Sequence, residues 1–404
     1  MGSNLKLVVN NPYNKIEENL RNIGCNVLQD PALKEDNLQK VLSEFSPDVL
    51  VVRSTKVKKQ HIQASSQLSL IVRAGAGVNT IDLDNACQYG IFVANCPGKN
   101  ALAVAELTIG HLINLDRRIS DNVQDLRLHQ WKKGIYSKAK GLYGRSLAVI
   151  GLGASGMAVV ERAKALGMSI RAYSRSLTPE KAETIGIQYC STPLDACRGA
   201  DALTVHVAYN DKTKGIIGEM ELMSLQEGAY VINISRGGII DEEALLRCIK
   251  EKSLRAGLDV FVGEPNSKEA HFEHPLLSHP NVYGTHHIGA STTQASEMVG
   301  DAVFDIIDTY QKTGQVRNCV NLSKKSIADH LLSVRHADKV GVLAHVLDCL
   351  KKNGHNIQEM ENIIFSGSKA ACARIQIVGR PNDMVIQELR IHDDIFSVAI
   401  KQIL

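Results

Sequence analysis

Three residues able to move a proton beside a bound anion occupy matching places in the chain: Arg236 in INISRGG, Glu264 in GLDVFVGEP and His287 in THHIGA. Each follows a short apolar run. In a parallel sheet such runs end at one common edge, so a guanidinium, a carboxylate and an imidazole are predicted to meet at one cleft. An imidazole, which titrates near ~6.5 in water, takes a hydroxyl proton as hydride departs and returns it in the reverse direction. Glu264 is the expected orienting partner of that ring. Arg236 offers a planar fork to a substrate carboxylate or carbonyl oxygen and stabilises charge in the transition state. Singly, each has a plainer explanation: a surface charge at a helix entry, a solvated loop carboxylate, a satisfied strand-end histidine. Their joint placement after three strands of one sheet is what favours chemistry.

Hydride needs a carrier, and GLGASG supplies a place for one. Gly151, Gly153 and Gly156 fit the GxGxxG spacing, follow the strand-like LAVI and open the helical MAVVERAKALG. In that context Gly151 permits a tight turn, Gly153 lets backbone approach a pyrophosphate, and Gly156 allows close helix packing. Backbone N–H groups and the positive helix end then hold the phosphates. About 20 residues on, such folds usually carry an acidic residue for the ribose hydroxyls. Here the segment reads Tyr173, Ser174, Arg175, Ser176, with no carboxylate. Two hydroxyls and a guanidinium suit a 2′-phosphate, so NADP(H) is expected in preference to NAD(H). The plainer alternative is that Arg175 covers the adenine face and NAD(H) is still used.

Nearer the N-terminus, VVRST and RAGAGVN each place an arginine, Arg53 and Arg73, near the end of an apolar run. The turn Gly75, Ala76, Gly77, Val78 can present backbone N–H groups to an anion. Arg53 and Arg73 suit a second anionic group such as a phosphate; surface arginines are the alternative. QWKKGIYSKAK, with Trp131, reads as a solvated segment.

The elements that must position these residues alternate. From LKLVV through PDVLVVRS and LSLIVRAGAG to IFVANCP, apolar runs and helical patterns take turns, which indicates parallel strands joined by helices. ALAVAELTIGHLINLDRRISDNV reads as one long helix. Six further strand-like runs, SLAVIGLG, MSIRAYS, DALTVHV, AYVINIS, SLRAGLDVF and NVYGTHHIG, match a complete dinucleotide-binding sheet. The helical TTQASEMVGDAVFDIIDTYQKTG is expected to return to the first domain. After a polar linker the order strand, helix, strand, strand, helix, strand predicts a ferredoxin-like module. The fold class is therefore α/β: two doubly wound Rossmann-like domains and a ferredoxin-like appendix. The expected boundaries are a discontinuous, flavodoxin-like substrate domain at 1–97 and 293–318, a nucleotide domain at 98–292, a linker at 319–328 and the module at 329–404.

Composition agrees. A chain of 404 residues is long enough for two or three cores, and a formal net charge of +3 with dispersed basic residues gives no nucleic-acid footprint. Nine cysteines form neither a CxxC pair nor a zinc-like spacing, so no metal is expected. No apolar run approaches the ~20 residues of a membrane span. The chain enters a strand almost at once, read as leaving no room for a presequence, so a cytoplasmic protein is expected.

RAGAGVNTID, CPGKNALAVAELTIG, GLGASG, INISRGG, GLDVFVGEP and THHIGAST, in this order, resemble the D-2-hydroxyacid dehydrogenase family, in the form that oxidises 3-phosphoglycerate for L-serine biosynthesis and carries a C-terminal ACT domain. The resemblance implies that Arg236, Glu264 and His287 are catalytic, and that Arg53, Ser54 and the turn Gly75 to Val78 face the substrate with Asn100 near the hinge. It implies cofactor contacts from Ala154, Ser155, Ser174, Ile234, Asp259 and Gly289. A homodimer or homotetramer is implied through the helix after Pro97. HADKVGVLAHVL is similar to the effector loop of serine-sensing members and implies an L-serine site at His336, Asp338 and Asn356. Four departures stand out: Asp338 for asparagine, Val340 for proline, Ser174 for aspartate, and His286 for the proline before the catalytic histidine. Two other functions fit the same residues, an NADPH-dependent glyoxylate or hydroxypyruvate reductase and a non-catalytic cofactor-sensing scaffold resembling a corepressor.

Overall fold

The computed structural model describes residues 5–10, 16–30, 33–265, 269–323 and 326–403. The chain divides into two compact units, Met1–Asn321 and Leu322–Leu404.

The first unit holds two parallel sheets. One is built from β1 (Lys6–Asn10), β2 (Asn26–Gln29), β3 (Val49–Val52), β4 (Leu70–Arg73) and β5 (Phe92–Asn95), in the order β2-β1-β3-β4-β5. VLVV of β3 is buried on both faces, as a strand covered by helices on each side must be. The helix Thr293–Thr313 does return to this sheet, packing Val299, Val303, Ile306 and Ile307 against Leu7, Val9, Val49 and Val51. Each such fully buried side chain contributes roughly 1.5–3 kcal/mol. Thr292 starts that helix by accepting the Ala295 N–H, and Gly314, at φ 72°, ends it in the left-handed region. β2 and the helix Glu35–Phe45 were absent from the sequence reading. The strand has four residues at a sheet edge, only one of them buried, so it carries almost no apolar signal.

The second sheet contains β6 (Ser146–Ile150), β7 (Ser169–Tyr173), β8 (Gln188–Tyr189), β9 (Ala202–Val205), β10 (Tyr230–Asn233), β11 (Arg255–Leu258) and β12 (Val282–Gly284). The order is β12-β11-β10-β9-β6-β7-β8, all parallel. Among the described residues seven strands stand where six were expected, because β8 is two exposed residues on the edge. The chain reverses direction across the sheet between β6 and β9, the switch point at which such sheets bind ligands.

The expected long helix after Pro97 is two helices, Ala101–Arg117 and Ile119–Arg127. Arg118 adopts a left-handed conformation at φ 52° and pairs with Asp121, while Asn114 accepts the Ser120 N–H and hydroxyl. Side-chain capping thus outcompetes helix continuation at a site that periodicity alone passes over. Residues 318–321, where the linker was expected to begin, lie along β5: Val320 donates to the Val93 carbonyl and Asn321 accepts the Val93 N–H.

The second unit is one antiparallel sheet, β13 (His330–Ala337), β14 (Ile357–Ile364), β15 (Ala370–Ile377) and β16 (Ile395–Gln402), in the order β14-β15-β13-β16, with helices Val342–Lys352 and Asp383–Ile391. It has its own core of Leu332, Val334, Val346, Leu350, Ile375 and Leu389. No helix among the described residues is long and apolar enough to cross a membrane.

Candidate active site

β10 ends in buried Asn233, whose side chain builds the turn that follows. Its Oδ1 accepts the Ser235 N–H at 3.0 Å and its Nδ2 donates to the Arg236 carbonyl at 2.9 Å. Gly237 is obligatory here, since a Cβ would fall 2.3 Å from the Phe261 backbone. The guanidinium of Arg236 is braced by the Ser235 carbonyl at 2.6 Å. Its other nitrogen, Nη2, lies 3.1 Å from where a Cβ on Gly77 would stand, so it faces the glycine turn contributed by the first sheet. Burial pushes the Arg236 pKa down, and the Glu264 charge opposes this.

Glu264 and His287 form the pair expected. His287 Nδ1 lies 2.6 Å from Glu264 Oε1, and Glu264 Oε2 accepts the Phe261 N–H at 3.3 Å. Burial pushes the Glu264 carboxyl up, but the His287 hydrogen bond and charge, the Phe261 N–H and Arg236 outweigh it and hold the group below its usual range. An ionised carboxylate only accepts, so Nδ1 carries the proton and Nε2 is left for substrate. The backbone of His287 sits at φ 51° in the left-handed region, a conformation that persists where surrounding contacts over-determine it. Those contacts come from Asp259, only 1 % exposed. Its carbonyl accepts the His287 N–H at 2.9 Å, and its carboxylate accepts the N–H groups of Ile288 at 2.8 Å and Gly289 at 2.7 Å. Asp259 and Gly289, implied as cofactor contacts, are thus also parts of the frame that holds the imidazole. Gly289 rests against Ile234, whose Cγ2 would lie 2.5 Å from an added Cβ. His286, the second imidazole of the loop, is exposed beside it.

A second frame was missed from sequence. Glu242, at the start of the helix Glu242–Lys252, accepts the Val262 N–H at 2.9 Å and pairs with His274 at 3.0 Å. Burial raises its carboxyl pKa against the pull of Val262 and His274. It anchors the loop between β11 and Glu264. The only signal was an acidic residue in a first helical turn, where the helix dipole alone would explain it.

The three glycines of the loop have different surroundings. Gly151, at φ 98°, lies so close to the His206 carbonyl that a Cβ would fall 2.4 Å from it, and a Cβ on Gly156 would fall 2.0 Å from the Gly151 carbonyl. Above Gly153 there is open space within 4 Å. Gly153 caps the helix Ala154–Ala165 with no side-chain hydrogen bond, so the first N–H groups, those of Ala154 and Ser155 among them, have no side-chain cap. The donors present fit a dinucleotide pyrophosphate. At the end of β7, Ser174 and Ser176 hydroxyls lie 3.5 Å apart beside exposed Arg175.

In the first sheet Arg73 ends β4 opposite Val52, which places Arg53 and Ser54 on the adjacent strand end. Gly75, at φ 151°, lies over the Arg73 guanidinium, with an added Cβ only 1.7 Å from Nη1. The turn is fixed by Cys96 N–H to the Gly75 carbonyl at 2.9 Å and Asn95 Nδ2 to the Ala76 carbonyl at 2.6 Å. Val78 packs on the same sheet's core. Asn100 begins the helix Ala101–Arg117 that leads from this sheet to the second.

The implied effector residues are not brought together within one unit. His336 is 2 % exposed, with Nδ1 2.7 Å from the Ala337 carbonyl and Nε2 3.2 Å from Asn362 Oδ1. Asp338 follows β13 at the end where Ala337 pairs with Ala370, whereas Asn356 precedes β14 at the end where Ile357 pairs with Ile377. Eight residues of strand, ~25 Å, separate those ends. Among the described residues no group of three His, Cys, Asp or Glu side chains is arranged to hold a metal ion.

Residues 109–289 match the family model for the NAD binding domain of D-isomer specific 2-hydroxyacid dehydrogenases. A D-3-phosphoglycerate dehydrogenase of Methanocaldococcus jannaschii is 40% identical over 291 residues, 72% of this chain and 54% of that protein. A hydroxypyruvate reductase of Thermotoga maritima is 40% identical over 272 residues, 66% of this chain and 85% of that protein. The chain spans 54%, 62% and 57% of the length of three D-3-phosphoglycerate dehydrogenases that it matches. Among solved structures, NAD+-bound 3-phosphoglycerate dehydrogenase of Entamoeba histolytica aligns with a TM-score of 0.65 at 28% identity, covering 79% of this chain and 99% of that one.

Proposed function

This chain belongs to the D-2-hydroxyacid dehydrogenase family, and on that premise we propose that it interconverts 3-phosphoglycerate and 3-phosphohydroxypyruvate in L-serine biosynthesis. The observation that carries the reading is the His287–Glu264 pair at 2.6 Å, with the Arg236 fork facing the Gly77 turn. The nicotinamide cofactor supplies the hydride acceptor or donor. In oxidation His287 Nε2 takes the 2-hydroxyl proton; in reduction the imidazolium returns it. Glu264 fixes the tautomer and stabilises the charged ring. Arg236 binds the carboxylate and polarises the carbonyl oxygen, and the backbone of Gly75 to Val78 closes on the carboxylate from the other side. Arg53 and Arg73 receive the phosphate, a role that the named relatives favour over a chance surface pair.

NADP(H) is proposed over NAD(H), on the hydroxyls and guanidinium at the end of β7. The C-terminal unit is read as an ACT domain, and the exposed Ile119, Val123, Leu126 and Leu128 as part of a homodimer contact. The protein is placed in the cytoplasm. A second reading, glyoxylate or hydroxypyruvate reduction with NADPH, is favoured by the Thermotoga relative and by the missing carboxylate at Ser174.

One assay separates them: kcat/KM for 3-phosphoglycerate, glycerate, glyoxylate and hydroxypyruvate with each cofactor. A preference for the phosphorylated acid supports the first reading, and a preference for the unphosphorylated ones overturns it. Turnover of none would leave a cofactor-sensing scaffold. A clear NAD(H) preference would remove the β7 argument. A response of the full chain to millimolar L-serine would support an effector function for the ACT domain; no response would remove it.

A further inference from the structure

His111 lies on the helix Ala101–Arg117, remote in sequence from Arg236, Glu264 and His287, and is 4 % exposed. Its Nε2 is 3.2 Å from the Thr285 hydroxyl, which donates to Asp259 Oδ1 at 2.6 Å. Asp259 is the residue whose carbonyl and carboxylate hold the N–H groups of His287, Ile288 and Gly289. We propose that His111 is a positioning residue: through Thr285 and Asp259 it fixes the loop that carries the catalytic imidazole. The inference rests on His287 being the proton carrier of the proposed reaction.

The proton positions follow by elimination. The single Thr285 proton is committed to a carboxylate that also takes two backbone N–H groups, so the hydroxyl oxygen can only accept from His111. Nε2 of His111 must then carry a hydrogen, and the neutral ring leaves Nδ1 as a bare lone pair. The packing agrees. Nδ1 is buried and without a hydrogen-bond partner, and it lies against Gly257 of β11, where an added Cβ would stand 2.8 Å away. A second proton on this ring would have no acceptor, in keeping with burial lowering the pKa of His111 against the pull of Asp259. The ring is therefore a permanent donor, wedged between a helix and a strand that needs a glycine to admit it. Without it, the Thr285 hydroxyl turns more freely and one of the three contacts to the Asp259 carboxylate is held less firmly, so the left-handed His287 backbone is less tightly determined.

The test uses the full chain. In 15N-histidine-labelled protein the His111 ring should show the Nε2–H tautomer without titrating between pH 6 and 8; an Nδ1–H or a cationic ring overturns the proposal. His111→Leu fills similar space without a donor. It should raise hydrogen exchange in the peptide covering 285–290 and lower kcat roughly tenfold, while KM changes less than about twofold. His111→Gln places an amide donor near Nε2 and should restore both. Unchanged exchange and kcat in His111→Leu, or equal loss in the two variants, overturns the proposal. Should His111→Leu not fold, the tautomer and His111→Gln still decide. If the wild-type chain turned over none of the acids, the reaction would be wrong while tautomer and exchange would still judge the relay.

Discussion

His287 and His336 carry the same side chain and meet opposite fates. His287 stands past the end of β12 in a parallel sheet, exposed, with one ring nitrogen on the Glu264 carboxylate. His336 lies inside β13 of an antiparallel sheet, flanked by β15 and β16, with both ring nitrogens at hydrogen-bond distance from amide oxygens. Loops that leave the carboxyl edge of parallel strands converge on one cleft, so a residue there is delivered to solvent and to its neighbours from other strands. A residue within an antiparallel strand points either into the core or away from it. The difference teaches that a motif histidine is free to do chemistry only where its second nitrogen is left over. A carboxylate partner makes that possible, because it settles which nitrogen holds the proton.

The sharpest way to break the contrast is to remove each ring in turn. His287→Ala should lower kcat by ~10²–10⁴, the usual worth of a positioned acid–base group, while nicotinamide binding, read by fluorescence titration, persists. An unchanged kcat would take His287 out of the mechanism. Arg236→Lys comes next. A point charge cannot replace the fork, and kcat/KM should fall by ~10²–10³.

Glu264→Gln probes the partner. The amide keeps a hydrogen bond but loses the charge that stabilises an imidazolium, so kcat should fall about ten- to a hundredfold, less than for His287→Ala. The same substitution has a pH signature. The folded Glu264 carboxyl is held below its unfolded value, so its contribution to stability is full above ~4.3 and is lost as pH falls through the folded value. Wild type should therefore lose more Tm than Glu264→Gln between pH 5 and pH 3, and identical slopes would remove the pairing from the stability balance.

What could be read from the sequence follows the same division. Arg236 and Glu264 were legible because β10 and β11 before them are apolar and buried almost throughout, and the edge of a parallel sheet is set by where such runs stop; His287 follows β12, an edge strand with no buried residue, and was read from its place in the alternation of strands and helices. β2 and β8 were not legible, being edge strands with one buried residue and none. The break at Arg118 depends on Asn114 reaching Ser120, a side-chain contact that helical periodicity does not encode. Glu242 and Asp259 hold the site through backbone N–H groups, and any segment offers those, so no residue pattern announces Glu242 or the framing role of Asp259, which the resemblance implied only as a cofactor contact. The effector residues are a different case: His336, Asp338 and Asn356 were placed by likeness of a loop. Strand register, which no such likeness supplies, sends two of them to opposite ends of the sheet.

The smallest effect belongs to His336. His336→Leu keeps most of the buried volume but strips the Ala337 carbonyl of its ring partner, which should destabilise the C-terminal unit by about 1–3 kcal/mol. Hydrogen exchange along β13 reads that loss directly, and kcat should stay within about twofold of wild type. If His336 instead contacted an effector, the variant would abolish a response to L-serine with β13 protection unchanged. Both nitrogens of the buried ring lie at hydrogen-bond distance from protein oxygens, so a ligand would have to displace the Ala337 or Asn362 oxygen to reach it, and protection of β13 is the quantity that such a displacement could not leave untouched.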